Sequence, residues 1–393
     1  MYESLSAVGQ AGRSAREELP LADIHVLDAT NWLGAYAGRL LSDLGAIVTR
    51  IENPEGVPER TAGPLLPGGT SATFAFTEAG KRSVVLDPAD PDYRNRLLAM
   101  LGGTDILLTS EGPEALAERG LGPEVLRGQP RLIHLAMSPF GLDGPYANRP
   151  ATDLTVLAAG GLLSLAGDPD REPVRPAPPQ SSVATSLHAV VGVLLALLVR
   201  DETGLGQVVD VSAQESVAHS LENAVQYVDL EGVVRRRVGN APTEAGTGLF
   251  TCRDGWVYLV CGLGGRPLGW DGLVTWLEAE GVTAASELRD PRWSDFRWRR
   301  TAQAVAVFRE LFEGFAAGLG KRELYEAGQR YGVSIAPVST PEDLLDNPQL
   351  TERGFFRPIE VDGDSILFPG PPYRFAGLDV GPRGGPPRLG DLG

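Results

Sequence analysis

Apolar positions in the first third of the chain fall into short runs that alternate with segments of helical spacing. The runs at 24–27, 47–51, 83–86, 106–108 and 132–137 have the length and mostly apolar character of strands buried on both faces. Between them, a turn at 30–34 leads into a helix that continues to about 44, where Gly45 stops it. Further helices are predicted over 91–102 and near 113–119. Alternation of strand and helix, broken only by a loop-rich stretch at 53–80, predicts an α/β chain built on a parallel, doubly wound sheet.

Beyond residue 137 the strand ends in a turn, Ser138-Pro139-Phe140-Gly141. A polar loop with Gly144-Pro145 and Arg149-Pro150 follows, and then Asp153 stands where a buried helix begins. Leu154, Leu157, Ala158, Leu162 and Leu165 recur behind it at helical spacing. A proline-rich loop over 167–179 precedes a long apolar helix at 182–200, a strand at 207–211 and a helix over 213–227. Arg235-Arg236-Arg237 and the loop 239–248 mark a shift in composition and a lobe boundary. The smaller lobe is predicted to hold a strand at 256–261 and helices around 270–279 and 301–318. Residues 332–337 look strand-like, 341–357 read as a short helix and turn, and the Pro/Gly-rich last 25 residues are expected to run over a surface.

Composition narrows the possibilities. With 42% hydrophobic residues in 393, the chain can bury two cores. A net charge of -16 argues against a nucleic-acid partner, since phosphate neutralisation needs a broad basic surface. The two cysteines, Cys252 and Cys261, lack the paired spacing of a metal site and suit a reduced cytoplasm. Residues 1–20 lack the apolar segment of a signal peptide, and the most apolar run, 189–199, is too short to cross a bilayer. Neither a metal nor a membrane partner is therefore expected.

The chemistry centres on Asp153. An acid at a helix start, beyond a strand end and a loop, is where an α/β fold can keep a reactive carboxylate. The same position equally suits a helix cap, and the residue alone leaves both readings open. The first β-α-β unit has Glu52 closing its second strand, as in dinucleotide sites. Its turn, however, has only Gly34 and Gly38 in place of G-x-G-x-x-G, so nicotinamide binding is not indicated. Lys81, one of two lysines, precedes a strand together with Arg82.

Several ordered blocks together carry a resemblance. VLDATNWLGAYAGRLLSDLGAIVTRIENPEG at 26–56, GKRSVVLD at 80–87, SPFGLDGPYANRPATDLTVLAAGGLLSLAGDPD at 138–170, GLGQVVDVS at 204–212 and GVSIAPVSTPEDLLDNPQLTERGFF at 332–356 are similar to the family III coenzyme A transferases (the CaiB/BaiF family). That family's relatives include formyl-CoA and carnitine CoA-transferases and α-methylacyl-CoA racemases. The resemblance implies a Rossmann-like large domain at 1–235, a small α+β domain at 236–330 and a segment at 331–393 that returns to the large domain. It also implies an interlocked homodimer in the cytoplasm, and coenzyme A or acyl-CoA as substrate with no tightly bound cofactor.

By the same resemblance, Asp153 is the nucleophile of CoA transfer from an acyl-CoA to a small carboxylic acid. Asn31, Trp32, Leu33, Lys81, Leu86, Ser110, Glu111, Arg119 and the turn Ser138, Pro139, Phe140 and Gly141 are the matched coenzyme A positions, with Arg60 and Arg82 as further phosphate candidates. Gly246 and Gly248 lie in the expected active-site loop. The chain departs from the family pattern at Trp32, at Ser110-Glu111, at Arg119 and at Ser182, and an anionic Glu111 beside coenzyme A is unfavourable unless turned away. Two alternatives follow: an α-methylacyl-CoA racemase or related isomerase, and a catalytically silent CoA-binding protein. The racemase relatives carry Gly-His-Asp where this chain has Ala151-Thr152-Asp153.

Overall fold

The computed structural model describes residues 19–123, 127–177, 179–221, 224–239, 244–262 and 268–392. The readings of 1–20 as a non-signal segment and of 239–248 as one loop therefore fall partly outside the described residues.

Six strands, β1 (His25–Asp28), β2 (Ile47–Glu52), β3 (Arg82–Val85), β4 (Ile106–Thr109), β5 (Ile133–Ser138) and β6 (Val208–Ser212), form one sheet in the order β3-β2-β1-β4-β5-β6. All neighbours are parallel. Alternate residues feed opposite layers, as the pleat requires. Val26, Ile106, Leu108, Ile133, Leu135 and Met137 pack with Leu40 and Leu41 of helix Ala35–Asp43 and with Ala189, Val193 and Leu197 of helix Gln180–Thr203. Leu27 and Leu107 face the other way, onto Leu97, Leu101 and Leu116. Both faces of the central strands are covered, which is why they read as largely apolar runs. The strand order reverses between β1 and β4, the place where open α/β sheets leave a crevice beyond their carboxyl ends.

Gly38 sets how closely the first helix meets the sheet. A Cβ there would lie 2.6 Å from Asp28 Oδ2 and 2.9 Å from Lys81 Nζ. The glycine absent from a dinucleotide fingerprint thus has a counterpart that serves helix–strand packing.

The described residues form two compact units. The first contains the parallel sheet, 173–235 and the chain from Pro348 onward. In that last part, β10 (Phe356–Val361) and β11 (Asp364–Pro369) make a hairpin whose Ile359, Val361 and Phe368 pack on Ala75 and Ala79. The second unit holds Gly167–Glu172 and Arg236–Asn347. Its antiparallel sheet runs β7 (Thr247–Cys252), β8 (Gly255–Val260), β9 (Ser334–Pro337), over a core with Trp270, Trp276, Trp293, Phe250, Phe308 and Phe312. Because Ser334–Pro337 pairs with β8, the chain rejoins the first unit at Pro348 rather than at 331.

Three local expectations change. The helix expected over 213–227 is two, Ala213–His219 and Ala224–Glu231; at the break Ser220 N–H and Leu221 N–H tighten to i−3 carbonyls. Strand β7 occupies part of the expected loop, and an unexpected hairpin over 356–369 precedes the Pro/Gly-rich tail. The long helix Gln180–Thr203 is 24 residues with an 18-residue window of mean hydropathy 2.2, so by length and composition alone it could cross a bilayer. The apolar run at 189–199 understated its length. Its inner face, including Ala189 and Val193, packs against the sheet.

Candidate active site

Asp153 is the first residue of helix Asp153–Ala159, but it is not the cap. Thr152 is: its hydroxyl accepts from Thr155 N–H, and the Thr155 hydroxyl accepts from Thr152 N–H. The Asp153 carboxylate is left for other partners. Oδ1 accepts from the Ser181 N–H at 2.9 Å and from the Ser181 hydroxyl at 2.7 Å. Ser181 lies in the first turn of helix Gln180–Thr203, where backbone N–H groups have no intrahelical acceptor. Oδ2 is buried without a hydrogen-bond partner, and Arg175 Nη2 stands 3.6 Å from it. The carboxylate as a whole is only 8% exposed. It is held through one oxygen, and the other is left without a hydrogen bond.

A cavity of about 370 Å³ opens beyond the carboxyl ends of β1, β4 and β5; Asp153 itself does not line it. The three loops that leave these strands form its walls: Asn31, Trp32 and Leu33 after β1, Ser110 and Glu111 after β4, and Pro139 after β5. The fourth wall is the loop that ends at Ala151, two residues before Asp153. This is the crevice at the strand-order reversal. Its loops are tied together, since Ser110 Oγ accepts from Asn31 N–H at 2.7 Å and Asn31 Oδ1 accepts from Leu33 N–H. Ser138 Oγ accepts from Gly141 N–H at 2.8 Å, which, with the positive φ of Gly141, fixes the turn that carries Pro139. Phe140 packs edge-on against Tyr146.

Other positions matched by the sequence lie elsewhere. Lys81 is buried beneath the site, with Nζ 2.7 Å from both Asp28 Oδ2 and the Ala35 carbonyl and 2.9 Å from Glu78 Oε2. With Arg50 on Glu78 and Asp28, this cluster holds two carboxylates and two cations. Burial alone would raise the Asp28 pKa, but Lys81 and Arg50 outweigh it and hold it below the usual range; Glu78 is pushed up, chiefly by burial. Lys81 is thus a structural cation without a free proton donor for a phosphate. The Leu86 side chain sits in the core between sheet and helix.

Arg119 donates to Glu111 and, at 3.0 Å, to the Ala29 carbonyl. The unfavourable Glu111 charge is therefore met within the chain, and Arg119 is engaged in meeting it. Arg60 is likewise bound bidentately to Glu52, at 2.6 and 2.7 Å. Gly248 belongs to β7, paired with Leu259, and Gly246 packs so close to Trp270 that a Cβ would lie 2.7 Å from its ring. Both are in the second unit and are part of its sheet edge. His134 donates to or accepts from Thr109 Oγ1 at 2.9 Å inside the sheet layer, and burial pushes its pKa down to about 4.

Sequence reasoning missed Ser181, Arg175 and the cavity residue Arg149, which stacks 3.9 Å over Tyr146. None of them stands out in sequence, because each is defined by what the fold brings beside it.

Residues 21–391 match the profile of CoA-transferase family III. The chain belongs to that family. It is 38% identical to the succinyl-CoA:(R)-benzylsuccinate CoA-transferase subunit BbsE of Thauera aromatica, over 93% of this chain and 90% of that protein. It is 29% identical to the succinyl-CoA–D-citramalate CoA-transferase of Chloroflexus aurantiacus, over 86% of this chain and 83% of that one. A CaiB/BaiF family protein from Brucella suis shares the fold with a TM-score of 0.83 and 28% identity, covering 95% of this chain and 97% of its own. This family III CoA-transferase therefore moves coenzyme A between acyl-CoA thioesters and carboxylic acids.

Proposed function

We propose that the transfer runs through covalent intermediates on Asp153. Asp153 Oδ2 attacks the thioester carbonyl carbon, the C–S bond breaks, and coenzyme A leaves as thiolate from a mixed anhydride. The thiolate then attacks the aspartyl carbonyl carbon, the C–O bond breaks, and the donor acid departs to leave an aspartyl-CoA thioester. The acceptor acid reverses both steps. Each intermediate keeps an activated carbonyl on Asp153, so the free energy of the thioester is conserved as long as water is excluded.

The observation that supports this reading is the asymmetry of Asp153, with Oδ1 fixed by Ser181 and Oδ2 buried without a hydrogen bond. A residue that only caps its helix would direct its oxygens to its own backbone, and Thr152 already fills that role. A racemase needs two bases at one carbon, and no histidine is hydrogen-bonded to Asp153 among the described residues.

For the coenzyme, we propose that the pantetheine arm lies along the Asn31–Leu33 and Pro139 walls. The cavity carries Glu111, Glu114 and Glu118 against one Arg149, which suits an uncharged arm better than phosphates. The relatives act on succinyl-CoA by name, and succinyl-CoA is the donor we propose here. A second copy of the chain is the proposed partner. The outer face of helix Gln180–Thr203, with Leu187, Val191, Leu195 and Leu198 exposed, is an apolar surface that such a partner would cover.

The test is isotope exchange. Labelled succinate incubated with succinyl-CoA and the protein should appear in the thioester pool without net hydrolysis. Hydrolysis without exchange, or no exchange across a panel of acyl-CoAs each with its parent acid, would overturn the proposal.

A further inference from the structure

Arg175 lies at the edge of the site, on the stretch between Asp153's helix and the helix that carries Ser181. Val174 N–H bonds to the Ala166 carbonyl at 3.0 Å and anchors that stretch. The Arg175 side chain is 47% exposed, and Nη2 is 3.6 Å from Asp153 Oδ2, beyond hydrogen-bond distance. No other acid pairs with it among the described residues, whereas Arg119 is engaged by Glu111 and Arg149 lies over Tyr146. An ion pair this open adds little to stability. Its place matters more: it is the guanidinium that faces the unbonded oxygen of the nucleophile.

We infer that Arg175 binds the carboxylic acid substrate by exchanging one carboxylate partner for another during the cycle. This rests on the aspartyl mechanism proposed above. In the resting chain Arg175 faces the Asp153 carboxylate. When Asp153 is an aspartyl-CoA thioester its charge is gone, and Arg175 loses its anionic neighbour. The acceptor arrives as an anion at that stage.

An acid that places one oxygen about 3 Å from the aspartyl carbonyl carbon has its second oxygen within reach of a guanidinium already seated beside Oδ2. The first oxygen bonds to the carbonyl carbon, the C–S bond breaks, and the negative charge passes from the acid to the departing thiolate. No proton is transferred. The donor acid leaves through the same contact in reverse. The attraction is strongest when the site needs an anion and is offset by Asp153 itself when it does not.

The test uses full-length wild type, Arg175→Gln and Arg175→Lys, each shown to be folded by circular dichroism. Each is loaded to completion with succinyl-CoA, freed of excess donor, and discharged with rising succinate or monomethyl succinate while intact mass is followed. The expected result is that Arg175→Gln still loads coenzyme A but needs at least roughly tenfold more of either acid for half-maximal discharge, with Arg175→Lys partly restoring it. Equal acid dependence in wild type and Arg175→Gln would overturn the inference. So would a folded Arg175→Gln that never loads, which would make Arg175 essential to the attack on the donor thioester rather than to the acid contact, or a rise confined to succinate, which would assign it to a distal carboxylate. A wild type that never loads would instead overturn the aspartyl mechanism.

Discussion

Ser181 meets Asp153 twice, with its backbone N–H at 2.9 Å and its hydroxyl at 2.7 Å, both on Oδ1. One residue thereby aims a carboxylate that the sequence separates from it by 28 positions. Replacing Ser181 by Ala keeps the N–H and removes the hydroxyl. A hydrogen bond to a charged group contributes about 1.5–3 kcal/mol, so if its whole effect falls on the reacting geometry kcat should drop roughly 10- to 100-fold. Steady-state transfer assays on Ser181→Ala check this, with the thermal midpoint expected to stay close to wild type.

The cluster beneath the site has the opposite signature. Lys81 is buried against Asp28 and Glu78, and Lys81→Met would leave two buried carboxylates sharing Arg50 alone. Breaking such a buried arrangement costs about 3–5 kcal/mol. Urea denaturation of Lys81→Met should show a loss of that size. At temperatures where the variant remains folded, affinity for coenzyme A should be nearly unchanged, because Lys81 supports the turn from below and does not touch the cavity.

His134 gives a pH dependence with a definite sign. Its folded pKa lies at about 4, below the ordinary 6.5, because burial disfavours the charged ring. The unfolded chain binds this proton more readily. The stability is therefore complete above pH 6.5 and is lost as pH falls from there toward 4. A shift of that size corresponds to roughly 3 kcal/mol at the low end of the window. Denaturation of wild type and His134→Gln at pH 7 and pH 4.5 should show a stability difference between the two pH values that is smaller in the variant.

Much of the first unit was legible in the chain because the central strands of its sheet are short and buried on both faces. Runs such as 106–108 and 132–137 announce β4 and β5 within a residue or two. The second unit was harder. Of its strands β7 and β8 only β8 alternates exposure, and the hairpin between them turns at Arg253-Asp254 with Gly255 opening β8, so that an Asp-Gly pair in the sequence marks its edge. Asp362-Gly363 between β10 and β11 is the same signal, and its φ values of 55° and 91° show why that pair is needed there.

The site was legible only in part. Asn31, Trp32, Leu33, Ser110, Glu111 and Pro139 do gather around one cavity. Lys81 looks like a phosphate ligand in sequence because a rare lysine in an acidic chain draws notice, and Arg119 matches a coenzyme A position, yet each meets an acid that the fold sets beside it. Spacing cannot reveal such pairings. Arg175 and Ser181 become functional candidates only through their distance to Asp153.

The central claim is that Asp153 Oδ2 becomes covalently bonded during transfer. Intact-mass spectrometry of the protein mixed with succinyl-CoA, beside Asp153→Ala, tests it most directly. The account predicts a coenzyme A or succinyl adduct that maps to the peptide containing Asp153 and is absent from the variant. An adduct that persists in Asp153→Ala, or full transfer activity in that variant, would contradict it.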